Sequence, residues 1–153
     1  MLRSAWLLLL TLMLLPLTGC VSARVQAERD ATATYNRCYT ALRQADLPMY
    51  QLCQSRLSKA RRQEQRLADA DLPQEDEQQW LKGQAEAAPW EVQILSSVVS
   101  EDLGTVTLET NNRSGVLDQQ IEHVEKIVLV KENGRWVIDK DCCEYSNARF
   151  ASP

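Results

Sequence analysis

The chain is poor in the residues from which reactive centres are usually assembled. Its 153 residues include one histidine, His123, whereas a metal site of imidazole and thiolate needs three or four converging ligands. No Cys-x-x-Cys occurs, so the common thiol redox motif is missing. Lys and Arg number 17 against 21 Asp and Glu, a net charge of −4. Without a basic excess or basic-aromatic interleaving, a nucleic-acid surface is excluded. No nucleophile motif anchors a Ser-His-Asp arrangement. The longest apolar run, Ala5 to Leu17, is broken by Thr11 and Pro16, and it falls short of the about 20 apolar residues of a spanning helix.

What that run does have is a processing context. Arg3 stands before it and Leu17-Thr18-Gly19-Cys20 closes it, the charged head, apolar stretch and small residue of a secretory signal peptide. Leu17-Thr18-Gly19-Cys20 resembles the lipobox of bacterial lipoproteins. That resemblance implies removal of residues 1–19, a diacylglyceryl thioether on the Cys20 sulfur and an acyl chain on its new amine; no other cofactor is implied. Residue 21 is Val rather than Asp, which in the sorting pattern of enterobacterial lipoproteins favours the outer membrane, facing the periplasm. Each buried CH₂ of a lipid chain adds about 0.8 kcal/mol, so three chains anchor the protein durably. Residues 20–26 are read as a short tether without a Ser/Pro/Gly-rich stretch, reaching roughly 20–30 Å if extended. The remainder is long enough for one domain with one core.

Helical spacing runs from Ala27 to Ala45, with Ala31, Tyr35, Cys38, Leu42 and Ala45 on one face. Asp46-Leu47-Pro48 breaks it, and a second helix is predicted from Pro48 to about Ala70, carrying Met49, Leu52, Cys53, Leu57 and Ala60 on its apolar side. Asp71-Leu72-Pro73 repeats the break. An acidic first turn, Glu75, Asp76 and Glu77, opens a third helix ending near Gly83. From Trp90 the period becomes that of strands: Trp90, Val92 and Ile94, then Thr105 to Thr110. Asn111-Asn112-Arg113-Ser114-Gly115 reads as a turn. A longer strand, Gln119 to Lys131, meets Arg135 to Asp139 across Asn133-Gly134, a strong hairpin signal. Helices followed by consecutive antiparallel strands is an α+β arrangement.

Three helices and four strands ending in Ile127-Val128-Leu129-Val130-Lys131-Glu132-Asn133-Gly134-Arg135-Trp136-Val137-Ile138-Asp139 resemble the nuclear transport factor two-like superfamily, in particular small lipoproteins within it. Over residues 27–143 that resemblance implies N-terminal helices packed on a curved antiparallel sheet of about four strands, a cystatin-like cone with a pocket at its open end. Residues 144–153 are left as a tail. The superfamily holds isomerases, dehydratases and many non-catalytic domains, and fold alone does not choose among them. No residue here matches a catalytic motif of its enzymes.

Four cysteines remain in an oxidising compartment. Cys38 and Cys53 stand almost equally far from the break near residues 45–46, so an antiparallel helical hairpin would set them face to face; closing that loop is worth about 3 kcal/mol. The adjacent pair Cys142 and Cys143 points to opposite faces of a strand and keeps several readings: a bond elsewhere, burial, a redox pair or a soft-metal site. Candidate pocket residues are Tyr35, Tyr39, Trp80, Trp90, His123 and Trp136, all of which would equally serve as core or surface. His123, with Asp118, Glu122 and Glu125 near it, is the one candidate general base. Lys59, Arg61, Arg62 and Arg66, interrupted by Glu64, form either a solvated face or a contact for anionic head groups. Ile127 to Val130 is apolar on both faces, which leaves room for a homodimer through the sheet. The function expected is a non-catalytic binding or scaffold module in the envelope, taking a small apolar ligand or an envelope protein. The alternative is a small lyase or isomerase.

Overall fold

A computed structural model describes residues 3–68, 76–116, 119–139 and 146–150, with side chains described within 23–64, 76–114 and 121–139. Four helices precede five strands: α1 (Arg3–Arg43), α2 (Leu47–Cys53), α3 (Arg56–Ala68), α4 (Glu77–Ala87), β1 (Glu91–Val99), β2 (Thr105–Val116), β3 (Gln119–Glu132), β4 (Arg135–Asp139) and β5 (Ser146–Phe150). Residues 20–26, expected as a tether, are part of α1.

Local chemistry explains the helix ends. At the end of α1 the chain turns left-handed at Ala45 (φ 51°). The Ala45 N–H bonds the Leu42 carbonyl at 3.0 Å and the Asp46 N–H reaches Ala41 at 2.9 Å, the paired bonds of a Schellman motif. Asp46 then caps α2, accepting the Met49 N–H at 3.1 Å. Asp76 caps α4 through the Gln78 N–H at 3.2 Å, and that helix runs through Gly83 to Ala87.

The expected second helix is two. Gln54 is extended and bridges Ile138 of β4, and the Ser55 N–H donates to the Ile138 carbonyl at 2.9 Å. The Ser55 hydroxyl accepts the Ser58 N–H at 2.9 Å, which caps α3. A tertiary hydrogen bond to the sheet therefore interrupts a segment whose own spacing is helical.

The sheet runs β1-β2-β3-β4 in antiparallel order, with β5 also against β3. Twelve pairs, from Thr105↔Val130 to Val116↔Gln119, join β2 to β3 without a register shift. The segment 111–115, expected as a turn, is paired strand, and the reversal falls between Val116 and Gln119. At the other end Asn133 (φ 50°) and Gly134 (φ 78°) make the two-residue turn into β4, both in the left-handed region that such a turn demands. β4 and β5 follow each other along the same edge of β3, so residues 146–150 of the expected tail belong to the sheet.

The curved, cone-forming sheet is not what this chain builds. The sheet is open, neither curled nor closed, with β1 at one edge and β4 and β5 at the other. Strong curvature is made with bulges that kink the strands, and the β2–β3 ladder has none. The register break at Leu95 lies on the edge strand β1.

α1 crosses one face of this sheet. Ala27, Ala31 and Tyr35 pack on Val106, Leu108, Ile127, Leu129 and Trp136, the small alanines allowing a close approach. A second cluster of Ala41, Tyr50 and Leu81 joins α1, α2 and α4. Among the described residues, no helix is long and apolar enough to cross a membrane.

Candidate binding groove

A groove of about 650 Å³ opens between α1, α2, the first turn of α3 and the β3–β4 turn. Each wall has a local cause. The Cys38–Cys53 disulfide, with Cα atoms 5.6 Å apart, ties α2 to α1. The bridge from Gln54 and Ser55 to Ile138 joins the α2–α3 corner to β4. The Asn133-Gly134 turn brings Arg135 and Trp136 back along the opposite wall.

The apolar part of the lining includes Met49, Leu52, Trp136 and Val137. Leu52 is 60% exposed. Four cations line the groove, Arg37, Arg56, Lys59 and Arg135, against two carboxylates, Asp30 and Glu132. Both carboxylates are engaged. Asp30 accepts from Gln26 Nε2 at 2.8 Å, and Glu132 accepts the Arg56 main-chain N–H at 3.2 and 3.3 Å. Arg37 reaches Thr34 at 3.4 Å. The charged ends of Arg56, Lys59 and Arg135 make no hydrogen bond or ion pair among the described residues. The lining therefore carries four cations against two carboxylates, an excess of positive charge beside apolar side chains.

Of the candidate pocket residues, only Trp136 lines this groove. Tyr35 is in the core, and its ring stacks on that of Tyr39. The Tyr39 hydroxyl donates to the Pro89 carbonyl; burial raises its pKa above the ordinary value, and the nearby Arg43 charge works the other way. Arg43 also donates to the Ala88 and Pro89 carbonyls at 3.3 Å, so this pair holds the α4–β1 link against α1. Trp90 is 49% exposed at the start of β1. Trp80 packs beside Tyr50, with the Arg62 guanidinium 4.9 Å from the Trp80 ring and 5.4 Å from the Tyr50 ring.

The basic cluster divides accordingly. Lys59 faces the groove, whereas the Arg62 side chain, only 13% exposed, turns inward towards Glu77 at 3.5 Å. Arg62 belongs to the packing of α3 against α2 and α4. The Arg66 side chain, Asp118, Cys142 and Cys143 lie outside the described residues.

His123 sits far from the groove. It pairs across the ladder with Asn112, nine residues before Glu132, or about 30 Å along an extended strand. Asn112 Nδ2 lies 3.4 Å from His123 Nε2 and donates to Glu125 Oε2 at 2.9 Å. Its Oδ1 is buried without a partner. Glu122 is committed to Arg113 at 2.6 Å. An amide that donates to both groups orients the imidazole, but it relays no proton between it and the carboxylate. No cluster of three or more metal-ligating side chains occurs among the described residues.

Sequence spacing did not point to the groove, because its wall depends on the Gln54–Ser55 break and on the return of β4. The signals present in the sequence are Ser55, a residue type that caps helices, and the nearby cations Arg56 and Lys59. Compared with protein-family models, curated proteins and solved structures, the chain matches none.

Proposed function

We propose that this chain is a lipid-anchored protein of the bacterial envelope, facing the periplasm from the outer membrane. Its folded domain is a non-catalytic binding module that uses the groove as its recognition site. The observation that carries this reading is that Arg56, Lys59 and Arg135 line one groove with the apolar side chains of Leu52, Met49 and Trp136. Such a surface suits a ligand with both an acidic and an apolar part. The anchor rests on Leu17-Thr18-Gly19-Cys20, with lipid on Cys20 in place of any other cofactor.

The lyase or isomerase reading rests on His123 with Asp118, Glu122 and Glu125, and the described groove lining includes none of them. Homodimerisation draws its support from the outer sheet face, where Val98 is 65% exposed and Val128 and Val130 share the same side. Sedimentation of the detergent-solubilised chain that shows only monomer removes the dimer.

The test is native mass spectrometry of the full chain, expressed in a bacterial host and purified in detergent, beside Cys20→Ser. The expected result is loss of residues 1–19, gain of three acyl chains on the parent chain only, and a retained ligand. That ligand should disappear in Arg56→Glu with Lys59→Glu. An unmodified Cys20 removes the anchor; a ligand insensitive to the charge reversal removes the groove.

A further inference from the structure

Three features compete for a further role: the His123–Asn112–Glu125 cluster, the outer valine face and the open edge of β4. The edge carries the argument furthest, because it continues into the groove. The Ser55 N–H donates to the Ile138 carbonyl across the outer edge of β4. Main-chain groups alternate between the two sides of a strand, so Trp136, two residues earlier, directs its own N–H and C=O to that same edge. Beyond the Gln54 bridge, no described strand pairs there. Trp136 is thus the one outward-facing residue of β4 whose main chain has no partner among the described residues, and it lines the groove together with Arg135, Arg56, Lys59 and the exposed Leu52.

We infer that the groove receives an extended, acidic segment of a partner polypeptide, which pairs with the main chain of Trp136 at the edge of β4, beside the bridge that Gln54 and Ser55 already make to Ile138. This rests on the groove being the recognition site. Strand addition draws affinity from main-chain hydrogen bonds and specificity from alternate side chains. Here one set of side chains meets the cations of the groove and the other meets Leu52 and Met49. A membrane head group is the weaker occupant. The groove residues of α1, Asp30 to Arg37, stand 10 to 17 positions past Cys20 in one helix, about 15–25 Å along its axis.

The experiment titrates the full lipidated chain in detergent micelles with a fluorescent nine-residue peptide alternating Asp or Glu with Leu or Val. The expected result is micromolar binding that weakens at least tenfold in Arg56→Glu with Lys59→Glu. It should weaken by a similar factor when the peptide backbone is N-methylated at alternate residues, and stay unchanged in Lys126→Glu, on the exposed outer face. Equal binding of the N-methylated peptide, which keeps every charge, overturns strand addition. A chain that ignores the peptide and binds short-chain phosphatidylglycerol overturns the polypeptide occupant. If the peptide fails while a small ligand survives native mass spectrometry, this inference falls and the groove as binding site stands. If neither binds, both fall.

Discussion

The β2–β3 hairpin is one ladder with two different interiors. Near the groove its helix-facing pairs are Val106 with Leu129 and Leu108 with Ile127, all buried beneath α1. Towards its other end the same face carries Thr110 with Glu125 and Asn112 with His123. Thr110 and Asn112 are as deeply buried as the valines and leucines. The Thr110 hydroxyl donates to the Glu125 carbonyl at 3.3 Å, while Asn112 serves Glu125 and His123. One half is held by removal of apolar area from water. The other is held by polar groups that pair with one another, apart from Asn112 Oδ1, whose lack of a partner costs about 1–3 kcal/mol.

Substitutions should separate the halves. The largest effect is expected for Leu129→Ala, which empties a fully buried site and should cost about 4 kcal/mol in a denaturant titration. Removing the Cys38–Cys53 bond, with both residues changed to Ser, should cost about 3 kcal/mol and loosen α2 from α1. Asn112→Ala should cost only about 1 kcal/mol, because losing the donor to Glu125 is offset by removing the unpartnered Oδ1. If Asn112→Ala costs as much as Leu129→Ala, the two halves of the ladder are not held in these different ways.

Smaller still is Arg113→Ala on the outer face, where the guanidinium meets Glu122 at 2.6 Å and Glu91 at 3.0 Å. Partly exposed pairs of this kind contribute little, and the difference from the parent chain should vanish in unfolding measured at about 1 M salt. The least effect is at the β1–β2 turn. Hydrogen bonds from the Ser100 hydroxyl and then the Gly104 N–H hold Asp102 below its ordinary value of 3.8. Whatever stability it adds is present above that value and is lost as pH falls through the lower folded one. Asp102→Asn should remove this component, read as a flatter pH dependence of the turn's amide shifts below pH 3.8.

The same contrast explains what could be read ahead of the fold. Asp46-Leu47-Pro48 and Asn133-Gly134 act within a few residues, through a cap and a two-residue turn, and their chemistry is visible locally. The Cys38 and Cys53 spacing about the break is local in the same sense. Asn111 to Gly115 have turn composition, yet they are strand because Ile121 to Glu125 lie opposite them. Gln54 and Ser55 interrupt a helical pattern because Ile138 supplies the hydrogen-bond acceptor. Neither partner is near in sequence.

By itself the sequence determined that helices precede antiparallel strands, that the first helix breaks at Asp46-Leu47-Pro48 and that Asn133-Gly134 turns β3 into β4, all short-range matters of propensity and spacing. Only the tertiary structure decided that the sheet stays open, that His123 stands apart from Trp136, and that Arg56, Lys59 and Arg135 line one groove with apolar side chains. Those outcomes depend on strand register and on which surfaces meet, and register is fixed by contacts among residues far apart in the chain.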